Sequence, residues 1–106
     1  NQSMGKLIIL KGNSGSGKTT VAKALQKKLG RNTMLISQDE VRRNMLWVDD
    51  GIDTKALPLM AELLRYGREH SEFSILEGIM YDEWYRSLFE LANELYGSKK
   101  AGGVIL

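Results

Sequence analysis

Gly12-Asn13-Ser14-Gly15-Ser16-Gly17-Lys18-Thr19 is the stretch that decides the reading of this chain. Its spacing is G-x-x-x-x-G-K-T, and each residue type in it has a physical task. The glycines allow a tight turn whose backbone N–H groups point inward and cradle anionic oxygens. Lys18 brings a cation to the β- and γ-phosphates of a nucleotide, and the Thr19 hydroxyl is a ligand for Mg²⁺. A helix beginning near Gly17 aims its positive N-terminal dipole at the same point. The candidate nucleotide-binding residues are thus Gly12, Asn13, Ser14, Gly15, Ser16, Gly17, Lys18, Thr19 and Thr20.

The flanks supply the context such a loop needs. Leu7-Ile8-Ile9-Leu10 before it is a short continuous apolar run, as expected of a strand buried on both faces. Val21, Ala22, Leu25 and Leu29 after it recur at helical spacing, and Gly30 closes that helix. Further on, Thr33–Ser37 reads as a second strand. A short helix then starts near Asp39, capped by Ser37 or Asp39, with Val41, Met45 and Trp47 on its apolar side. Asp49-Asp50-Gly51 is a turn. Thr54 to about His70 reads as a helix whose regular part begins close to Leu57, with Pro58 in its first turn and Leu57, Met60, Ala61, Leu64 and Tyr66 near one side. Phe73 to Glu77 is a third strand broken at Gly78. Asp82 opens a last helix, with Tyr85, Leu88, Leu91, Ala92 and Leu95 as its stripe and Gly97 as its stop. Val104-Ile105-Leu106 reads as the start of a fourth strand.

Strands alternating with helices predict an α/β fold with a parallel sheet and right-handed crossovers. In such sheets ligands bind at the carboxyl ends of the strands. Residues 12–19, 37–42 and 77–81 converge on that edge. Asp39 and Arg42, three residues apart, make a carboxylate base with a guanidinium beside it. Glu77, at the end of the third strand, is placed to hold Mg²⁺ through water together with Thr19. Each has a plainer alternative: Asp39 as a helix cap, Arg42 as a solvated cation, Glu77 as a strand-end carboxylate facing water. His70, Arg65 and Arg68 read as solvated helix residues. Met45, Trp47 and Tyr81 are candidate walls of an acceptor pocket, or simply core.

Composition narrows the classes further. The chain has 106 residues, enough for one core, with 42% hydrophobic and 26% charged residues, as in ordinary globular proteins. Its net charge of +2, with basic residues scattered along it, disfavours nucleic acid as a partner. There is no cysteine, so disulfides and thiolate metal sites are excluded, and a cytoplasmic setting is the expectation. No apolar run is long enough to span a membrane. Asn1-Gln2-Ser3 ahead of Met4 reads as a remnant of expression, leaving 4–106 as a single nucleotide-binding domain.

GNSGSGKTT, then SQDEVRR, then ILEGI resembles the small-molecule kinase branch of the P-loop NTPases. Polynucleotide 5′-kinase, zeta-toxin-like kinases, chloramphenicol phosphotransferase and adenylylsulfate kinase share this order. The resemblance implies a three-layer, Rossmann-like P-loop fold in which strand 6–11 lies beside strand 73–77, with strand 33–37 outside it. It implies Mg-ATP as phosphoryl donor and a small-molecule hydroxyl as acceptor. Lys18, Asp39 and Arg42 fall at the catalytic positions, with Asp39 as the base. A polynucleotide 5′-hydroxyl acceptor and a non-catalytic ATP-binding module are the alternatives. These kinases continue with an arginine-bearing lid helix and a loop that holds the adenine. The sequence ends as the fourth strand begins, so the expected fold is truncated there, with a sheet edge open to self-association.

Overall fold

The computed structural model describes residues 5–12 and 17–97. Asn13 to Ser16, and the fourth strand expected at 104–106, lie outside the described residues. The elements run β1 Lys6–Lys11, α1 Lys18–Leu29, β2 Met34–Ser37, a π-helix Glu40–Leu46, α2 Ala56–His70, β3 Phe73–Gly78 and α3 Asp82–Tyr96.

The strands form a parallel sheet in the order β1-β3-β2. This is the order the family resemblance implies, with the loop strand beside the strand that carries Glu77. Register aligns Leu10 and Ser37 on either side of Glu77, so the carboxyl ends of all three strands meet at one edge. The chain crosses from β1 over β3 to β2 and then turns back to β3. Right-handed crossovers in opposite directions send their helices to opposite faces. Accordingly α1 packs on one face, while α2 and α3 pack against each other on the other.

Side chains alternate between these faces. Leu7, Ile9, Ile36 and Leu76 point to the α2–α3 side and join Met60, Leu64, Tyr85, Leu88 and Ala92 in the main core. Ile75 and Glu77 point the other way, under α1, and both are buried. Their shared face follows from the two-residue period of a strand.

Several expectations change in detail. Val21 is 53% exposed, because the neighbouring Ala22 is the residue of α1 that meets the sheet. β1 alternates between buried and half-buried side chains rather than being sealed on both faces. The short helix after β2 is a π-helix, and Ser37 rather than Asp39 caps it, its Oγ accepting from the Glu40 N–H at 3.4 Å. Only its first turn reaches the core: Val41 is buried, whereas Met45 and Trp47 are exposed. Tyr66 is exposed as well, lying against His70 at 4.3 Å between ring centroids. Arg68 is half-buried rather than fully solvated; its Nε donates to the Leu95 carbonyl at 2.5 Å and ties α2 to the end of α3. Asp82 is the first residue of α3 rather than its cap, and its carboxylate pairs with Lys11 at 2.7 Å. Among the described residues no helix is long and apolar enough to cross a membrane.

Candidate phosphate-binding cleft

Gly17 has a left-handed backbone, φ 76°, immediately before α1. A residue with a side chain would be strained there, which is the reason the loop spacing ends in glycine. The turn releases the chain into α1 with Lys18, Thr19 and Thr20 in its first turn, where the backbone N–H groups lack intrahelical partners. These residues line an open cleft together with Asp39, Glu77, Gly78 and Ile79. Three segments distant in sequence therefore meet at the carboxyl edge of the sheet. Gly12 closes β1 beside this edge. Asn13, Ser14, Gly15 and Ser16 belong to the undescribed part of the loop.

Glu77 is 2% exposed, so the alternative of a solvent-facing strand end is overturned. Thr19 Oγ1 donates to Glu77 Oε2 at 3.3 Å. A hydroxyl and a carboxylate side by side are oxygen donors suited to Mg²⁺, which takes one or two protein oxygens plus phosphate oxygens and water. The donor set fits that ion.

Asp39 stands at the opposite wall, its side chain 64% exposed. Arg42 Nη2 lies 3.4 Å from Asp39 Oδ1, and Arg43 Nε lies at the same distance from the same oxygen. The Asp39–Arg42 pair expected from the spacing is thus formed, and Arg43 joins it. Arg42 is the more buried of the two arginines. Its Nη1 donates to the Val48 carbonyl at 3.4 Å, and its buried Nε has no hydrogen-bond partner among the described residues.

Behind Asp39 lies a group of residues that sequence reasoning did not connect. Gln38 Nε2 donates to the Tyr85 hydroxyl at 2.8 Å, and that hydroxyl donates to Asp50 Oδ1 at 2.5 Å. Burial, followed by the Asp50 hydrogen bond, holds the Tyr85 phenol well above its usual pKa, and the Gln38 bond and the Arg42 charge only partly oppose this. The signal for it was a tyrosine inside an otherwise apolar stripe, since a buried phenol needs a polar partner. Asp50, read as a turn residue, is that partner, and its Oδ1 also accepts the Gly51 N–H at 3.0 Å. The other pocket-wall candidates stay apart from the core: Met45, Trp47 and Tyr81 are all exposed, with Tyr81 packed edge-to-face on Trp84 at 5.1 Å.

Comparison with known proteins agrees with the fold. The family model described as an AAA domain matches residues 7–105. A crystal structure of a provisionally assigned kinase from Chloroflexus aurantiacus J-10-fl superposes with a TM-score of 0.65 at 21% identity. The match covers 95% of this chain and 57% of that one, so the chain spans little more than half the length of that relative. At such identity the likeness is one of fold. No curated protein matches the sequence. With its family model spanning nearly the whole sequence and its glycine-rich loop leading from β1 into α1, this chain belongs to the AAA domain family of P-loop NTPases.

Proposed function

We propose that the protein is an ATP-dependent kinase that moves the γ-phosphoryl group to a hydroxyl of a small molecule. The observation that carries this reading is the meeting of Lys18, Thr19, Glu77 and Asp39 around one cleft. Phosphoryl transfer asks for positioning and charge neutralisation more than for covalent chemistry. Lys18 and the first-turn N–H groups of α1 take the phosphates. Thr19 and Glu77 are the residues that would hold Mg²⁺, which when bound neutralises phosphate charge.

Asp39 faces the acceptor. The acceptor oxygen forms a bond to Pγ as the bond between Pγ and the bridging oxygen of ADP breaks, and the hydroxyl proton passes to the Asp39 carboxylate. Arg42 pairs with Asp39 through Nη2 and brings a cation to the acceptor side of the cleft, where it favours an anionic group on the acceptor. The scattered basic residues favour a small acceptor over a polynucleotide, whose phosphates ask for a basic stripe.

The test begins with the thermal shift produced by Mg-ATP. A ligand bound only by the folded state stabilises it by roughly 2.7 kcal/mol at a hundredfold excess over its dissociation constant. The shift is expected in the wild type and absent in Lys18→Ala. Transfer of labelled γ-phosphate is then measured across sugars, nucleosides and amino alcohols. A shift with no transfer to any acceptor, in the longest form of the protein, would leave a nucleotide-binding module without catalysis. No shift at all would remove the kinase reading.

A further inference from the structure

The polar chain behind the cleft is larger than packing requires. Tyr85 is fully buried, and a phenylalanine would fill the same space in the α3 stripe without needing a partner. Its hydroxyl instead has two, and their chemistry sets the direction of each bond. An amide nitrogen can only donate and an ionised carboxylate can only accept. The hydroxyl therefore takes Gln38 Nε2–H and gives its own hydrogen to Asp50.

What lies between those partners gives the contact its meaning. Gln38 immediately precedes Asp39, and Asp50 follows Val48 by two residues. One hydroxyl thus closes the 38–50 excursion at both ends, and Asp39 and Arg42 sit inside it. The excursion is also tied across its middle. The Val48 N–H donates to the Arg42 carbonyl at 2.9 Å, and Arg42 Nη1 reaches the Val48 carbonyl. On its inner side it rests on β3: a Cβ on Gly78 would come within 2.6 Å of the Gln38 Cβ. Gly78 directly follows Glu77, so the spacing between the two walls of the cleft is set where Gln38 meets Gly78.

We propose that Tyr85 is a positioning residue: by holding Gln38 and Asp50 together, its hydroxyl fixes the Asp39–Arg42 pair against β3, at a set distance from Thr19 and Glu77. This rests on the kinase reading for its consequence in catalysis, but not for the holding itself. Misplacing a reacting group by about 1 Å can lower turnover by about a hundredfold, which is the scale on which such a clamp acts. Tyr85 touches neither nucleotide nor acceptor in this scheme.

The test uses the full chain and Tyr85→Phe, with Asp50→Asn as the conservative companion, because an amide oxygen still accepts from the phenol. Three quantities are read: Mg-ATP affinity from the thermal shift, ADP release from Mg-ATP with water as acceptor, and backbone amide exchange by segment. In Tyr85→Phe, exchange of the amides in 39–51 is expected to rise at least tenfold while that of β3 stays unchanged. Mg-ATP affinity is expected to stay within twofold, and turnover to fall at least tenfold. Asp50→Asn is expected to lie between this variant and the wild type.

Unchanged exchange in 39–51 would overturn the proposal. So would an increase spread over the whole chain in step with a lower melting temperature, because that is what a purely structural tyrosine gives. If the wild type shows no response to Mg-ATP, the kinase reading fails by that measurement alone. The exchange of 39–51 still decides whether the hydroxyl holds the segment.

Discussion

Glu77 and Asp39 line the same cleft from opposite walls, and their surroundings differ in almost every respect. Glu77 is the penultimate residue of a strand flanked on both sides, is 2% exposed, and meets the Thr19 hydroxyl. Asp39 leads into a short π-helix, is largely exposed, and lies between two arginine side chains. A carboxylate buried in a sheet edge is rigid and costly to keep charged without a cation close by. An exposed one costs little to keep charged and is open to an incoming ligand. Under the proposed kinase reading the two carboxylates serve different partners, Glu77 a bound metal and Asp39 a substrate that comes and goes.

The sharpest way to break this contrast is to neutralise each carboxylate without changing its shape. Asp39→Asn is expected to lower phosphoryl transfer by about 10²–10⁴-fold, the range for loss of a general base. Its stability should stay within about 0.5 kcal/mol of wild type, as for ordinary surface changes, and Mg-ATP should still bind. Transfer assays beside thermal melts read both quantities. Undiminished transfer would remove Asp39 from the role of base.

Glu77→Gln should give a different profile. The affinity for Mg²⁺ in the presence of nucleotide is expected to fall by about 10–100-fold, the usual effect of removing a group that supports a metal from outside its direct ligands. Without nucleotide the variant should melt higher than wild type, since a buried charge has become a neutral amide still able to accept from Thr19. Titration of Mg²⁺ at fixed ATP, with melts of the nucleotide-free protein, checks both. A variant that melts lower and binds Mg-ATP as tightly as wild type would mean that Glu77 serves the fold rather than the metal.

The two walls were also unequally legible in the sequence. The apolar run Phe73 to Leu76 ahead of Gly78 marks Glu77 as the close of the third strand, and a strand end in a parallel sheet belongs at the ligand edge; the strand runs one residue further, through Gly78. The burial of Glu77 was not legible, because the two-residue period assigns it to Ile75's face without saying that α1 covers that face. The sheet order came with the family resemblance rather than with any single residue. On the other wall the D-x-x-R spacing gave the pairing of Asp39 with Arg42. The π-helix that carries Arg42 has no signature in composition, and Met45 and Trp47 look like core residues until the chain is seen to leave the sheet. The Gln38–Tyr85–Asp50 chain stayed hidden because its partners are far apart in sequence and only the packing of α3 joins them.

Trp47 measures how much strain the exposed wall tolerates. It has a left-handed backbone, φ 57°, and 90% of the residue is exposed. For a bulky L-residue that conformation costs roughly 1–2 kcal/mol. Glycine removes the strain but restores chain entropy worth about 0.5–1 kcal/mol. Trp47→Gly is thus expected to stabilise the protein slightly, by up to about 1.5 kcal/mol, as read by denaturant melts. A marked loss of stability would show that the indole is packed in solution, and the exposed wall would then be more ordered than its surface suggests.

Asp82 provides the reference for an exposed carboxylate with a firm partner, because Lys11 Nζ stands 2.7 Å away, closer than either arginine stands to Asp39. The Lys11 hydrogen bond, and then its charge, hold the Asp82 carboxyl below its ordinary pKa. A carboxylate whose folded pKa is depressed adds stability above its unfolded value, near 4, and loses it as pH falls through the folded value. At neutral pH Asp82→Asn should therefore melt slightly below wild type. The gap should close in acid and shrink in salt, since an exposed pair is screened and worth little. At neutral pH Asp39→Asn should change the melting temperature less than Asp82→Asn does, because two arginines at 3.4 Å hold Asp39 more loosely than Lys11 holds Asp82. If melts at pH 7 gave Asp39→Asn the larger loss, its arginines would be acting as a fixed ion cluster. The exposed wall would then be as locked as Glu77, and the division between a carboxylate kept for metal and one kept for substrate would fail.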